Sequence, residues 1–233
     1  MQYMNFTKLK PMLMMIGICI LMAACSKKTE EQPAPDRTES MKNTVWAGEY
    51  QLLAGDLLSL QPFSITLAVD GTLTWYDIVS TRPGGTWTMK QDTITITLPN
   101  NTVIAATVGT ENWSNFKGGE AAGFLLSSVS AAKSAESSSL LNTKWTGILS
   151  GSKIDITILS DMMLSYKPGS GSEITIPYTN EGAGIRFSYK GIVSFTSNYL
   201  NISGNGTVMK GIEKLSSGFP SKTNYTTYAV TKL

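Results

Sequence analysis

Histidine is absent from this chain of 233 residues. Without an imidazole, the chain can form neither a histidine-based catalytic triad nor a zinc site with histidine ligands. Charged residues are also sparse, at 15% of the sequence. Beyond the N-terminal segment, no window of about a dozen residues repeats its apolar positions at the helical period. These absences argue against many hydrolytic enzymes and against a helical fold.

Only two cysteines occur, and the second of them ends a distinctive N-terminal segment. Lys8 and Lys10 give this segment a basic start. The apolar run of about a dozen residues that follows has the length of a signal peptide and is too short to span a bilayer. The segment closes on Leu21-Met22-Ala23-Ala24-Cys25. This motif resembles the processing site of bacterial lipoproteins, which implies that residues 1–24 are a lipoprotein signal peptide and that Cys25 is lipidated.

Removal of that segment would leave Cys25 as the only cysteine, with its thiol carrying lipid. The sequence therefore predicts no disulfide, no thiolate nucleophile and no cysteine-based zinc site in the exported chain. Of the 19 Lys and Arg residues, Lys8 and Lys10 leave with the segment, so the remainder balances the 17 Asp and Glu residues. A nucleic-acid-binding protein would carry a basic surface. We expect no nucleic-acid partner, no cofactor, no metal and no enzymatic activity.

Residues 25–41 contain few apolar side chains. A segment of this composition buries too little surface to fold, so we interpret it as the lipidated cysteine and a disordered tether. Two or three acyl chains would hold the protein firmly on a membrane. Lys27-Lys28-Thr29-Glu30-Glu31 is similar to signals that send lipoproteins to the cell surface in some Gram-negative bacteria. We predict an outer-membrane lipoprotein, for which a surface-exposed and a periplasm-facing position both stay open.

The rest of the chain contains an internal repeat. Asn43-Thr44-Val45-Trp46-Ala47-Gly48 recurs as Asn142-Thr143-Lys144-Trp145-Thr146-Gly147. Further matches follow in the same order, at shorter offsets, which indicates a tandem duplication with shorter loops in the second copy. A stretch rich in serine and alanine separates the copies. We predict one domain over residues 42–134 and a second over residues 135–233, each folding around its own core.

Within each copy, apolar and polar residues alternate with a period of two. Phe63, Ile65 and Leu67 show this pattern, as do Ile94 and Ile96. The alternation is typical of strands with one face on a core and one face in water. Turn residues interrupt the pattern often enough for roughly seven or eight strands in about 95 residues. We predict an all-β chain of two tandem small antiparallel β-barrels, with β-sandwiches as the alternative.

Several short motifs resemble one family. They are Trp46 and Gly48, residues 70–72 (Asp-Gly-Thr), residues 85–87 (Gly-Thr-Trp) and residues 92–96 (Asp-Thr-Ile-Thr-Ile). Their order is similar to that of the lipocalin-like, calycin-type domains found in bacterial lipoproteins. The resemblance implies a small up-and-down barrel in each copy. Lipocalins carry a glycine two residues before the first-strand tryptophan, where this chain has Thr44.

The tryptophans are the candidate binding residues. Trp46 and Trp145 occupy equivalent positions in the two copies, so we interpret them as structural plugs of the barrels. Trp75, Trp87 and Trp113 occur only in the first copy, where they could line a ligand pocket or pack in the core. We predict that these three rings bind a small apolar or amphipathic ligand, or a glycan, although their large inward neighbours favour a filled interior.

Other polar motifs have ordinary explanations. Asp70 and Asp161 each precede a turn, where an aspartate usually bonds to its own backbone. Asp92-Thr93-Ile94 matches a short bacterial O-glycosylation pattern centred on Thr93, and the sequence leaves its modification open. Two functions remain: a ligand-binding module anchored by Cys25, and a structural protein whose filled domains dock onto another envelope protein.

Overall fold

The computed structural model describes residues 36–51, 60–79, 81–119, 129–160, 162–191, 194–203, 206–217 and 222–233. The predicted signal peptide, Cys25 and most of the predicted tether lie outside these residues. So does Asp161. The described residues form sixteen strands, one short helix and one turn of 3-10 helix.

The first eight strands form a closed antiparallel barrel in the order of the sequence, and the last of them pairs with the first. They are β1 (Thr44–Tyr50), β2 (Gln61–Leu67), β3 (Thr72–Asp77), β4 (Thr81–Lys90), β5 (Thr93–Thr97), β6 (Val103–Val108), β7 (Asn112–Gly118) and β8 (Ser130–Ser134). We call this the first barrel.

The last eight strands form a second closed antiparallel barrel, in which β9 pairs with β16. Its strands are β9 (Lys144–Leu149), β10 (Ser152–Ile158), β11 (Met163–Pro168), β12 (Ile174–Glu181), β13 (Gly184–Lys190), β14 (Ser194–Ser203), β15 (Val208–Ser217) and β16 (Lys222–Lys232). The 3-10 turn Ser137–Leu140 lies between the barrels in the sequence. The predicted boundary between residues 134 and 135 falls directly after β8.

The prediction of tandem antiparallel barrels is confirmed, and the alternative of sandwiches is wrong because both sheets close. Closure pairs the edge strands that an open sheet would expose. The alternation of the sequence explains the cores. Phe63, Ile65 and Leu67 are each at most 1% exposed, and they point into the first barrel.

The repeated Asn-Thr-x-Trp motif forms the same local structure in both barrels. Asn43 and Asn142 adopt positive φ angles of 54° and 61°, a conformation that asparagine tolerates better than most residues. Trp46 Nε1 donates to Thr44 Oγ1 at 2.9 Å, and Trp145 Nε1 donates to Thr143 Oγ1 at 2.7 Å. The threonine two residues before each of these tryptophans therefore satisfies the indole of a buried ring.

The glycine of the Trp-x-Gly motif permits barrel closure. A Cβ on Gly48 would lie 1.8 Å from the Ser130 carbonyl oxygen on β8, and a Cβ on Gly147 would lie 2.2 Å from the Ala229 carbonyl oxygen on β16. Both contacts are with backbone, which no side-chain rotation relieves. The first and last strands of each barrel therefore approach each other at a position that only glycine fits.

The end of the predicted tether is ordered, which corrects its boundary. Thr38–Met41 form a helical turn, α1, and Met41 is 2% exposed in the core of the first barrel. Leu140 occupies the equivalent place in the second barrel and is 3% exposed. Both residues precede the Asn-Thr-x-Trp motif by the same spacing. Residues 38–41 thus belong to the first barrel, because the Met41 side chain packs in its core.

The two barrels pack against each other within one compact unit, Pro35–Leu233. The alternation of β2 predicted a solvent-facing outer surface, but Ser64 is 0% exposed. Its Oγ donates to the Glu181 carbonyl oxygen and bonds to Tyr199 Oη, both at 2.8 Å. Asn201 Nδ2 donates to the carbonyl oxygens of Gly48 and Phe63, at 3.0 and 2.6 Å. The outer face of β2 is polar because it meets the second barrel.

Arg186 on β13 makes a further contact between the barrels. Its guanidinium donates to both carboxylate oxygens of Glu181, at 2.7 and 2.8 Å. It also donates to the carbonyl oxygen of Ile78 at 3.1 Å and to that of Asp77. The second barrel thereby binds the backbone of the first barrel where β3 ends.

Candidate functional site

The predicted site residue Trp75 lies in the packed interior of the first barrel. It is 1% exposed and its ring stacks on Phe63 at a centroid distance of 4.3 Å. Its Nε1 donates to Asp77 Oδ2 at 2.9 Å, and Tyr50 packs against its ring at 5.7 Å. These contacts use both the ring and the polar atom of Trp75 within the barrel.

Trp87 and Trp113 are also buried, at 4% and 5% exposed. Trp87 Nε1 donates to the Ala68 carbonyl oxygen at 3.0 Å. The ring centroid of Trp113 lies 5.1 Å from that of Trp46. The tryptophan of the first strand of the barrel and one candidate binding residue are therefore in contact. The structure brings Trp75, Trp87 and Trp113 into one core cluster, and their binding of a ligand stays a prediction.

Trp113 additionally borders a cleft of about 280 Å³ between the barrels. Small residues of β1 and β8, including Ala47 and Ala131, form part of its wall, and Lys210 of the second barrel lies opposite. Lys210 Nζ is 3.9 Å from Glu49 Oε2. Trp113 Nε1 is buried without a hydrogen-bond partner among the described residues.

The second barrel carries polar side chains on its inner face. Side chains two residues apart on a strand point the same way. Asn198 therefore shares a face with Leu200 on β14, and Glu213 shares a face with Met209 on β15, where Leu200 and Met209 belong to the barrel core. Asn198 and Glu213 are also direct partners across the two strands. Both side chains accordingly point into the barrel.

Three tyrosines lie beside this pair. Tyr228 Oη donates to Asn198 Oδ1 at 2.9 Å. Tyr189 Oη donates to Glu213 Oε2 at 3.5 Å. The ring of Tyr166 lies 5.4 Å from that of Tyr189. We call these five residues, from β11, β13, β14, β15 and β16, the inner polar cluster.

Two buried atoms of the inner polar cluster lack a hydrogen bond of normal geometry. Tyr166 and Asn198 are both 0% exposed. Among the described residues, Asn198 Nδ2 has no hydrogen-bond partner, and Tyr166 Oη interacts with the Tyr189 side chain without a hydrogen bond of normal length and angle. A buried polar group without a partner costs roughly 1–3 kcal/mol. An apolar residue at either position would avoid that cost, so stability alone does not explain the inner polar cluster.

Burial also acts on the charge of the inner polar cluster. It raises the pKa of the Glu213 carboxyl, an effect that the hydrogen bond from Tyr189 partly offsets. Burial is likewise the largest cause of the raised pKa of Tyr166 and of Tyr228, to which the nearby Glu213 charge contributes. A carboxyl whose folded pKa exceeds its unfolded pKa destabilises the fold when it ionises as the pH rises. Glu213 therefore costs stability at neutral pH.

The remaining polar candidates have local partners. Asp70 Oδ1 accepts hydrogen bonds from the backbone nitrogen and the hydroxyl of Thr72, at 2.9 and 2.7 Å. These bonds lower the pKa of Asp70, and they confirm its predicted role in the turn. Thr93 is half-buried, and its Oγ1 donates to Asp92 Oδ1 at 3.3 Å.

The tryptophan pattern of the sequence points to the first barrel and does not indicate the inner polar cluster. The signal available in the sequence is the alternation of side chains along β14. Asn198 lies on the same face of the strand as Leu200 and Ile202, so a polar residue occupies a core position.

Compared with known proteins, the chain matches no family model and no curated protein. Among the described residues, no helix has the length and apolar character needed to cross a membrane. In the same ranges, no group of three or more Asp, Glu, Cys or His side chains is arranged to hold a metal ion. The arguments about function therefore rest on the sequence motifs and on the geometry of the two barrels.

Proposed function

We propose that this protein is a non-enzymatic, membrane-anchored binding protein of the bacterial envelope that holds a small amphipathic ligand in its second barrel. The observation that carries the proposal is the pair of buried atoms Tyr166 Oη and Asn198 Nδ2, neither of which makes a hydrogen bond of normal geometry within the described residues. Natural proteins often retain such destabilising groups where function requires them. The ligand would supply the missing partners.

The location differs from the one that the sequence favoured. In the first barrel, Trp75 and Trp87 have hydrogen-bond partners within the barrel. The second barrel instead combines apolar residues with hydroxyl, amide and carboxylate groups on its inner face, which is the usual composition of a small-molecule site. A glycan or another amphipathic molecule with polar groups fits this composition better than a purely apolar one.

A structural or interaction role is the alternative, and the filled first barrel favours it. Its core includes the rings of Trp46, Trp75, Trp87 and Trp113. A filled barrel serves well as a rigid spacer or as a docking surface for an envelope partner. This role does not account for the buried groups of the second barrel that lack a hydrogen bond of normal geometry.

The proposed anchor is the acylated thiol of Cys25, at the end of a segment that resembles a lipoprotein signal. The motifs that resemble lipocalin-like domains support the same class, because such domains occur in bacterial lipoproteins and the resemblance implies up-and-down barrels. We place the protein at the outer membrane of a Gram-negative bacterium, facing either the cell surface or the periplasm.

The anchor is tested by Cys25→Ser. Serine lacks the thiol that carries the lipid, so we expect this variant to leave the detergent-rich phase in a detergent phase separation of whole cells. Cys19→Ser is the matched control, because Cys19 lies within the apolar run and should not affect partitioning. Retention of Cys25→Ser in the detergent-rich phase would show that lipidation at this residue does not hold the protein on membranes.

The binding role is tested by whether removal of the Tyr166 hydroxyl raises or lowers the free energy of unfolding. A hydroxyl kept for packing or hydrogen bonding stabilises the fold, whereas an unpartnered hydroxyl kept for a ligand destabilises it. Removal of the Tyr166 hydroxyl separates these cases in the ligand-free protein.

A further inference from the structure

We infer that the ligand of the inner polar cluster is a small primary amine that also carries a hydroxyl or ether oxygen, with its ammonium group at Glu213 and its oxygen at Asn198. This inference rests on the proposed function, since it names the chemical class of ligand for that site. Charge, aromatic surroundings and the unpartnered donor each support it.

The charge argument concerns Glu213. Its side chain points into a barrel whose core is otherwise largely isoleucine, leucine and tyrosine. Within the described part of the chain, no lysine or arginine forms an ion pair with it. A partly buried carboxylate is costly unless a positive charge compensates it. An ammonium group bound beside Glu213 would supply that charge.

The aromatic argument concerns the rings around the carboxylate. Tyr166 lies 5.4 Å from Tyr189 and also 5.4 Å from Phe187, measured between ring centroids. Tyr189 reaches Glu213 through its hydroxyl. Aromatic faces attract cations, and the attraction is stronger where water is excluded. The rings and the carboxylate together favour an organic cation over an anion or a neutral apolar molecule.

The donor argument specifies the rest of the ligand. Asn198 Oδ1 already accepts a hydrogen bond from Tyr228, whereas Asn198 Nδ2 has two hydrogens and no partner among the described residues. These hydrogens require an acceptor, which an ammonium group cannot provide. A hydroxyl or ether oxygen close to the amine would accept from Asn198 while the ammonium group contacts Glu213 on the adjacent strand.

The test is a titration of the full chain with ethanolamine, followed by NMR of the tyrosine rings. Ethanolamine carries an ammonium group and a hydroxyl two carbons apart. We expect saturable shifts of the Tyr166 and Tyr189 resonances, with at least about tenfold weaker affinity in Glu213→Gln, which keeps the shape but removes the charge. Glu173→Gln is the matched control, because Glu173 is an exposed carboxylate of the same barrel and should bind as the wild type does.

Neutral ethylene glycol and anionic butyrate separate this inference from the proposed function. Equal binding of ethanolamine by Glu213→Gln and the wild type would overturn the assignment of the ammonium group to Glu213. Saturable tyrosine shifts with ethylene glycol or butyrate, but not with ethanolamine, would overturn the amine class and leave the second barrel as a binding site. The absence of saturable shifts with all three probes would overturn both proposals.

Discussion

Trp75→Ala should lower the free energy of unfolding by about 3 to 5 kcal/mol, the range for truncating a buried tryptophan. The ring is 1% exposed and stacked on Phe63, so its removal leaves a large cavity. Its loss also removes the 2.9 Å hydrogen bond to the buried carboxylate of Asp77. Trp87→Ala should show a similar loss, because that ring is 4% exposed and bonded to the backbone. Denaturant midpoints measure both changes.

Phe195→Ala is the control for these tryptophan variants. Phe195 is 50% exposed, so its truncation should change stability by no more than about 0.5 kcal/mol. If Trp75→Ala and Trp87→Ala were as mild as Phe195→Ala, the rings would not support the first barrel. Such a result would favour the prediction that these rings bind a ligand over a core role.

Arg186→Met should destabilise the chain by about 3 to 5 kcal/mol, the cost of removing one partner from a buried ion pair. Methionine retains an apolar stem, but it leaves the Glu181 carboxylate, whose side chain is 8% exposed, without its cation. It also leaves the Ile78 carbonyl oxygen of the first barrel without this donor. Because Arg186 joins the barrels, the variant should also make their unfolding less cooperative. Differential scanning calorimetry reports both effects.

Lys153→Met provides the matched comparison within the same barrel. Lys153 pairs with Asp155 at 3.1 Å, but the two side chains are 65% and 36% exposed. An exposed pair of this kind contributes about 0 to 1 kcal/mol. Equal stability of Arg186→Met and Lys153→Met would contradict the view that the Arg186 contacts couple the barrels.

The fold could be predicted from the sequence because its main signals are local. The alternation of Phe63, Ile65 and Leu67 marks a strand with a buried face, and the repeated Asn-Thr-x-Trp-x-Gly motif marks the start of each barrel. Closure was harder to predict, because it depends on the approach of β1 to β8. Gly48 marks the point of this approach, but its role is evident only in the structure, where the Ser130 carbonyl oxygen lies beside it.

The contact between the barrels could not be predicted in the same way. Ser64 and Thr66 alternate with apolar residues on β2, as they would on a strand facing water. In the structure Ser64 is 0% exposed against Tyr199 of the second barrel. Polar residues at a domain interface and at a solvent-facing surface produce the same pattern, so periodicity does not distinguish them. Each barrel therefore has its own core, as predicted, and it also buries polar side chains against its neighbour.

The candidate site was harder to predict from the sequence than the fold. In the sequence, the large aromatic residues Trp75, Trp87 and Trp113 stand out as candidate binding residues. The structure draws attention instead to Asn198 and Glu213, which are polar residues at core positions of β14 and β15. Their role depends on the groups that they contact, which are tyrosines from three other strands, β11, β13 and β16.

The stability of Tyr166→Phe relative to Tyr199→Phe tests the central claim most directly. Both tyrosines are 0% exposed in the second barrel, and both substitutions remove only a hydroxyl. The Tyr199 hydroxyl bonds to Ser64 at 2.8 Å, whereas the Tyr166 hydroxyl makes no hydrogen bond of normal geometry among the described residues. Denaturant unfolding of the ligand-free chain should show Tyr199→Phe destabilised and Tyr166→Phe stabilised, each by about 1 kcal/mol. Destabilisation of both variants would show that Tyr166 serves the fold, which would contradict a binding site at the inner polar cluster.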